Sequence, residues 1–249
     1  MPINPDEEIL NRQVETGDQE RIMGIISQRI TSRKPAAYLL GEAWFAGLPF
    51  YVNEDVLIPR SPLAELINER FSPWIRPENI KSMLDIGTGS GCIAIAAAMK
   101  FPEIIVDAVD ISEKALVLAL KNIRRHGLDN RVRAIRSDVF SALGGKKYDL
   151  IIANPPYVSE EEYLSLPGEY HYEPRIALQA DDRGMDVVTR ILLQVVDYLN
   201  ANGVLIMEVG YSWEIFESKY PDIPFIWLEL QHGGEGVFVI TRDEIINYL

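Results

Sequence analysis

The sequence predicts an α/β protein built on a seven-stranded, mostly parallel, doubly wound sheet, preceded by a β-hairpin and a short N-terminal helical segment. Three observations carry this expectation. From residue 81 onward, strand-like and helix-like stretches alternate, which implies parallel strands with helices on both faces. The first of these strands runs into a glycine-rich turn and then an apolar helix. The last two strand candidates are joined only by His232 to Gly236. A parallel crossover needs a dozen or more residues, so one antiparallel strand is expected at the end of the sheet.

The elements follow in chain order. Ile22, Ile25, Ile26 and Ile30 recur at helical spacing and predict an amphipathic helix over Asp18 to Ser32, with the apolar stripe as a packing face. Residues 41–58 are rich in aromatic and β-branched side chains punctuated by Gly47 and Asn53, and read as a hairpin. Ser61-Pro62 supplies an N-cap and a first-turn proline for a helix to about Phe71. Strands are expected at 82–86, 104–110, 132–137, 148–153, 203–209, 225–231 and 236–241. Helices are expected near 91–100, 113–126, 183–199 and 212–219. The resulting division is a helical segment at 1–40, a hairpin linker at 41–60 and a catalytic domain at 61–249.

Composition narrows the function. With 24 Lys+Arg against 37 Asp+Glu the net charge is −13, which repels phosphate and disfavours a protein that coats nucleic acid. Hydrophobic residues make up 47%, ordinary for a globular chain. A chain of this length buries roughly 70–75% of its unfolded surface and needs no covalent staple. Cys92 is the sole cysteine, so no internal disulfide forms and a reducing cytoplasm is the expected compartment. Met1 to Leu10 is acidic and proline-bearing, unlike an export signal. The longest apolar run, Cys92 to Met99, falls well short of the ~20 residues that span a bilayer, so no membrane partner is expected. His126, His171 and His232 are scattered and show no metal-ligand spacing, so no metal is expected.

The strand at 82–86 leads into Asp85-Ile86-Gly87-Thr88-Gly89-Ser90-Gly91 and the helix CIAIAAAM. Glycines permit a sharp turn and close ligand approach, and the helix start offers unpaired N–H groups. Any α/β turn uses glycines, so the pattern alone is a weak signal. Asp110 ends the next strand, where an acid accepts both hydroxyls of a ribose; the plainer alternative is a helix cap beside Ser112. Asp138 and Val139 end the third strand, where an acid receives an adenine amino group and an apolar neighbour covers the ring. These sites alone do not separate a dinucleotide from S-adenosylmethionine. The dinucleotide pattern, however, requires glycine where Cys92 stands, and the D-x-G-x-G-x-G form resembles methyltransferases more than dehydrogenases.

The fourth strand ends in Asn154-Pro155-Pro156-Tyr157. Two prolines fix the backbone and remove two donors. Carbonyl acceptors, one amide oxygen and an aromatic face remain, a set suited to accept two hydrogens from a planar NH₂ group. An isolated match would be an ordinary proline turn; its place one strand after an adenosine-like site favours chemistry.

With these pieces in place, the chain resembles the class I S-adenosylmethionine methyltransferases, of Rossmann-like fold, and within them the glutamine amide methyltransferases of the HemK/Prm group. The resemblance runs from about residue 29 to 242. It rests on KPAAYLLGEAWFAG, FYVNEDVLIPR, DIGTGSGCIAIA, DAVDIS, NPPYV, YEPRIAL, VLIMEVG and GGEGVFVIT. NPPY is shared with amino-methyltransferases of DNA; the LIPR and EP..AL stretches select the glutamine group. The release-factor branch usually continues LIPR with Pro-Glu-Thr-Glu. Here Ser61-Pro62-Leu63 follows Arg60, which resembles the branch acting on ribosomal protein L3.

The resemblance implies S-adenosyl-L-methionine as cofactor, with S-adenosyl-L-homocysteine as product. It implies cofactor contacts at Asp85, Gly87, Thr88, Gly89, Ser90, Gly91, Asp110, Ile111, Asp138, Val139 and Asn154, and catalytic roles for Asn154, Pro155, Pro156 and Tyr157. Leu57 and Pro59 are expected to flank the pocket, Glu208 to close it, and Glu173 with Pro174 to wall the glutamine. Arg60 is expected to support its turn. The implied partner is ribosomal protein L3, free or in an assembly intermediate. The family's helical docking domain is expected to be shortened, since only about 40 residues precede the hairpin. Three competing readings are a release-factor glutamine methyltransferase, a DNA or RNA amino-methyltransferase and a non-catalytic assembly factor. The second needs a basic groove, whereas Arg124, Arg125, Arg131, Arg133 and Arg136 read as a solvated face; the third is disfavoured by intact NPPY and glycine motifs.

Overall fold

The computed structural model describes residues 13–248; the expectation for Met1 to Leu10 lies outside them. Helices α1 (Thr16–Ser32) and α2 (Ala36–Leu40) precede a hairpin of β1 (Glu42–Phe45) and β2 (Leu48–Tyr51). Helix α3 (Leu63–Asn68) then leads into the sheet. Its strands are β3 (Ser82–Ile86), β4 (Ile105–Asp110), β5 (Val132–Arg136), β6 (Tyr148–Ala153), β7 (Leu199–Glu208), β8 (Ile226–Trp227) and β9 (Val237–Thr241), in the spatial order β5-β4-β3-β6-β7-β9-β8.

Parallel pairing runs from β5 to β7, and β9 is antiparallel to both of its neighbours. The expected antiparallel strand therefore exists but sits one place in from the edge. Its sequence explains the position. Val237 and Val239 enter one core while Phe238 and Ile240 enter the other, so β9 needs cover on both faces.

That alternation organises the whole sheet. Met83, Leu150, Ile152, Val204 and Ile206 point to one core, against α3 and α4 (Cys92–Lys100). Leu84, Ile86, Ile151, Leu205 and Met207 point to the other. There they meet α8 (Asp186–Gln194), α9 (Trp213–Lys219) and α10 (Arg242–Tyr248). A period of two with apolar residues on both sides is what a doubly covered sheet requires. Helix α5 (Glu113–Arg125) follows β4, capped by Ser112, whose hydroxyl accepts from the Ala115 N–H.

Several boundaries differ from expectation. The strand expected at 225–231 shrinks to β8, because the N–H groups of Gln231 and His232 bond the Glu65 carboxylate (2.7 and 3.1 Å) instead of a strand. Helix α3 ends well before Phe71. Arg70 and Phe71 both take left-handed backbone, which turns the Phe71 ring into the core. Its start also shifts, with Pro62 at the cap position and the Ser61 hydroxyl accepting from the Leu63 N–H. The helix expected at 183–199 begins later, at Asp186, after left-handed Asp182 and Arg183, and ends in a 3₁₀ turn at Val195–Tyr198. The hairpin strands stop at Tyr51, leaving 52–58 as loop. Two short helices not expected from sequence, α6 (Glu160–Ser165) and α7 (Arg175–Leu178), follow β6.

Helix α1 forms as expected, but most of its stripe stays uncovered among the described residues, with only Ile25 half-buried. Ile22, Met23, Ile26 and Ile30 are exposed and none of its residues is buried. It is held by polar contacts: Arg29 and Arg33 to Glu169, and the Tyr172 hydroxyl to the Ser32 carbonyl at 2.7 Å.

Phe216 is fully buried at the centre of an aromatic cluster, stacked on Phe238 at 5.0 Å and close to Phe225 at 4.6 Å. Truncating it leaves a cavity that neighbouring rings cannot refill. Phe216→Ala should lower the unfolding free energy by about 3–5 kcal/mol, read from the midpoint of urea denaturation at unchanged slope.

Candidate active site

The order of strands reverses between the parallel neighbours β3 and β6: β4 and β5 lie to one side and β7 to the other. In open α/β sheets, the crevice beyond the strand ends at such a switch point is where ligands bind. A cavity of about 330 Å³ lies there, within the ordinary range for small-molecule sites.

The glycine loop forms its floor. Gly87, Gly89 and Gly91 all have positive φ, a conformation that other residues adopt only with strain. The Val109 carbonyl accepts from both Gly87 and Thr88 N–H at 2.9 Å, fastening the loop to the end of β4. Asp110 completes the fastening, with one carboxylate oxygen accepting from the Gly89 N–H (2.9 Å) and the other from the Ser112 N–H (2.8 Å). Burial raises its pKa, outweighing the backbone hydrogen bonds that act to lower it. Each carboxylate oxygen retains acceptor capacity beyond these single bonds. Asp110 therefore faces the cavity and holds the N–H of Ser112, and it is Ser112, not Asp110, that caps α5.

Gly87, Gly89, Asp110, Ile111, Asp138, Val139, Asn154, Pro155 and Pro156 all line the cavity. Asp85, Thr88, Ser90 and Gly91 lie behind its wall. Asp85 is fully buried and accepts from the Thr88 hydroxyl (2.6 Å) and the Ala94 N–H (3.2 Å), so it braces the loop and the start of α4. Its other oxygen, Oδ1, has no partner among the described residues. Burial pushes its pKa up from 3.8 to about 7. Val139 is strained, a β-branched residue at φ 50. The Ser137 hydroxyl bonds its carbonyl at 2.7 Å and fixes that turn.

Tyr157 is turned away from the cavity. Its hydroxyl donates to Glu208 (3.1 Å), which also accepts from Ser61 (2.5 Å). Glu208 is buried, its pKa raised by burial against those two hydrogen bonds. Burial next to this carboxylate also raises the pKa of the Tyr157 phenol. The ring lies so near Gly210 that a Cβ there would stand 2.5 Å from it.

Leu57 and Pro174 line the cavity, whereas Pro59, Glu173 and Glu208 do not. Glu173 is buried and holds two pieces together, accepting from Arg60 (2.7 Å) and from the Ile58 N–H (3.0 Å). Arg60 thus supports its turn by pairing with an acid. Cys92 is buried, its thiol pushed up to about 12, which makes it unreactive. The arginine cluster is engaged internally: Arg133 pairs with buried Asp107, Arg125 with Glu42 and Arg136 with Glu113, and Arg131 bonds the Ala98 and Phe101 carbonyls.

Sequence reasoning missed the outer wall. Ile176, Ala177 and Gln179 come from α7 and its exit, and Arg190 from α8, where it pairs with Asp138 at 2.7 Å. The only sequence signal for the first group was EP..AL, which marks the segment without showing which residues face inward. Arg190 carried no signal. Among the described residues no cluster of His, Cys, Asp and Glu could hold a metal ion, and no helix is long and apolar enough to cross a membrane.

Comparison with known proteins identifies this arrangement. The family model "Methyltransferase small domain" matches residues 70–166. The ribosomal protein uL3 glutamine methyltransferase of Francisella tularensis (strain SCHU S4) is 47% identical over 244 residues, 98% of this chain and 78% of that protein. The enzyme of the same description from Bordetella pertussis (strain Tohama I) is 41% identical over 98% of this chain and 83% of its own length. The chain belongs to this methyltransferase family. Like its relatives, it is an S-adenosylmethionine-dependent enzyme of class I. Solved structures agree on the fold alone: a methyltransferase from Pyrococcus furiosus has a TM-score of 0.56 at 17% identity, covering 92% of this chain and 99% of that one. The hMettl16 catalytic domain gives 0.58 at 17% identity, covering 78% and 75%.

Asp85 generates a pH prediction. Its folded pKa is raised, so its stabilising contribution is fully present below about pH 4 and is lost as pH rises through about 7. Asp85→Asn removes this dependence. The stability of the variant relative to the native chain should therefore rise between about pH 4.5 and about pH 7.5 in denaturant titrations without cofactor. A difference that stays flat across that range would mean Asp85 titrates normally.

Proposed function

We propose that this enzyme transfers a methyl group from S-adenosyl-L-methionine to the side-chain amide nitrogen of a glutamine in ribosomal protein L3 (uL3). The observation that carries the reading is the placement of Asn154-Pro155-Pro156 on the wall of the cavity that the glycine loop floors, in a chain 47% identical to a uL3 glutamine methyltransferase.

The cavity fits the cofactor. Asp110 offers acceptor capacity for ribose hydroxyls, the positive-φ glycines leave backbone bare where a Cβ would stand, and Asp138 with Val139 lines the turn just after β5. Gly87, Gly89, Asp110, Ile111, Asp138 and Val139 would hold it. Asp85, Thr88, Ser90 and Gly91 would shape the loop from behind. When bound, the cofactor supplies an electrophilic methyl on a sulfonium and is left as S-adenosyl-L-homocysteine.

The remaining demand falls on the protein. A primary amide nitrogen is a poor nucleophile because its lone pair is delocalised; the ~18–20 kcal/mol barrier to rotation about a peptide C–N bond measures that resonance. Full loss of resonance would consume most of the ~8–23 kcal/mol by which enzymes lower barriers, so partial pyramidalisation is the workable route. The Asn154 side-chain oxygen and the Pro155 carbonyl accept the two amide hydrogens. They orient the nitrogen lone pair toward the cavity and stabilise positive charge as it develops. No strong base is needed, because an N-methylated, N-protonated amide is itself a strong acid and loses its proton to water.

Residues 1–40 would act as a docking segment and 41–60 as a linker to the catalytic domain at 61–249. The single buried cysteine and a ribosomal substrate suit a cytoplasmic enzyme.

Labelled methyl transfer tests this directly. Purified enzyme should label uL3 in an undermethylated ribosomal-protein mixture, with release factors and DNA unlabelled; label in release factors alone would assign the chain to the sister activity. Asn154→Ala should reduce turnover by at least about 10²-fold while cofactor Kd stays within about threefold. Near-full activity in that variant would overturn the mechanism.

A further inference from the structure

We infer that Glu208 is a positioning residue that acts through the Tyr157 hydroxyl, setting the geometry of the Asn154–Tyr157 turn. The inference rests on the proposed glutamine chemistry at that turn and extends it to a residue outside the cavity.

Glu208 ends β7, adjacent to β6, which carries the turn. Its two oxygens are divided between two donors: the Tyr157 hydroxyl at 3.1 Å and the Ser61 hydroxyl at 2.5 Å. Ser61 in turn accepts from the Leu63 N–H at 3.1 Å, so its own proton is directed at Glu208. The carboxylate thus joins three chain segments that are far apart in sequence. The fit is closed on the other sides. The Tyr157 carbonyl accepts from Ser212 at 2.8 Å. A Cβ at Gly184 would stand 2.1 Å from that carbonyl, and one at Gly210 would stand 2.5 Å from the ring. The Gly210 backbone against the ring and the Glu208 carboxylate at the hydroxyl orient the phenol, while Ser212 and the close approach of Gly184 hold the Tyr157 carbonyl. The two prolines before it pass that constraint to Asn154, because their rings remove backbone freedom between residues 154 and 157.

A glutamine in place of Glu208 keeps the volume but presents an NH₂ to one of two hydroxyls that both need an acceptor. If Glu208 acts through the phenol, removing either partner removes the same contribution. The test is a double-mutant cycle on uL3 methylation with E208Q, Y157F and the pair. Each single variant should lower kcat by about 10–100-fold, the order expected for displacement of a reacting group by up to about 1 Å, with KM and cofactor Kd within threefold. The pair should be no worse than the more damaged single variant. Multiplying losses, or a loss confined to KM, would overturn the inference, as would unchanged kcat in E208Q.

A second readout needs no activity. The Tyr157 hydroxyl proton should appear as a slowly exchanging NMR resonance, identified by its absence in Y157F and lost in E208Q. Its persistence in E208Q would also overturn the inference. Failure of the native enzyme to methylate uL3 would instead strike the proposed substrate, leaving this resonance to decide the role of Glu208.

Discussion

The site depends on a close approach of bare backbone between the end of β7 and the start of β9. The Val209 N–H donates to the Gly236 carbonyl at 2.7 Å, and a Cβ on Gly236 would lie 2.0 Å from the Gly210 carbonyl. Gly210 in turn lies against the Tyr157 ring. Three layers are thus stacked without side chains between them. This contact is available only because β9 runs antiparallel to β7 and brings Gly236 to the same end of the sheet as the parallel strand ends. The one departure from parallel order is therefore what brings the start of β9 against Gly210, behind the Tyr157 ring, and the aromatic cluster around Phe216 and Phe238 holds that strand in place.

Buried and half-buried carboxylates then fasten the loops to this frame. Asp110 joins the glycine loop to the start of α5. Asp85 joins it to α4, and Glu173 joins the LIPR turn to the segment after NPPY. An acid is suited to this work because it accepts several N–H or O–H groups at once, and hydrogen bonds to a charged acceptor are worth roughly 1.5–3 kcal/mol each. Its cost is desolvation, visible in the raised pKa values of Asp85, Asp110 and Glu208. The elements being fastened are short: α6 has 6 residues and α7 has 4. Helices of that length do not hold themselves, so α7, which lines the cavity through Ile176 and Ala177, depends on ties such as Arg60–Glu173 just before it.

The sheet was legible because its signal is local and repeated. Apolar runs of strand length separated by helical stretches give both the elements and their alternation, and β3 and β6 fall on the residues expected for them. The inner wall was legible for the same reason, since strand-end residues such as Asp110 and Asn154 are placed by the strands that carry them. The shortening of β8 was not, because it is caused by Glu65, distant in sequence, capturing two backbone N–H groups. Arg190 was hidden likewise: a helical arginine becomes part of the wall only through its pairing with Asp138 on another element. The stripe of α1 misled in the opposite direction. Periodicity shows which residues share a face and says nothing about whether another element covers it.

The contrast between the two ends of the chain follows from how each is held. The catalytic end is fixed by buried acids, glycines and two continuous cores, which leave the NPPY turn little freedom. Helix α1 is held through arginines to Glu169 and one tyrosine hydroxyl. Surface ion pairs of this kind contribute about 0–1 kcal/mol and weaken with salt. The Arg33 side of that link is largely exposed, whereas the Arg60–Glu173 tie a few residues along is anchored on a buried carboxylate. Both ties reach the same segment, Glu169 to Glu173, from opposite directions. Arg60 with Glu173 ties that segment to the LIPR turn through a buried carboxylate, while its link to α1 runs through the more exposed Glu169.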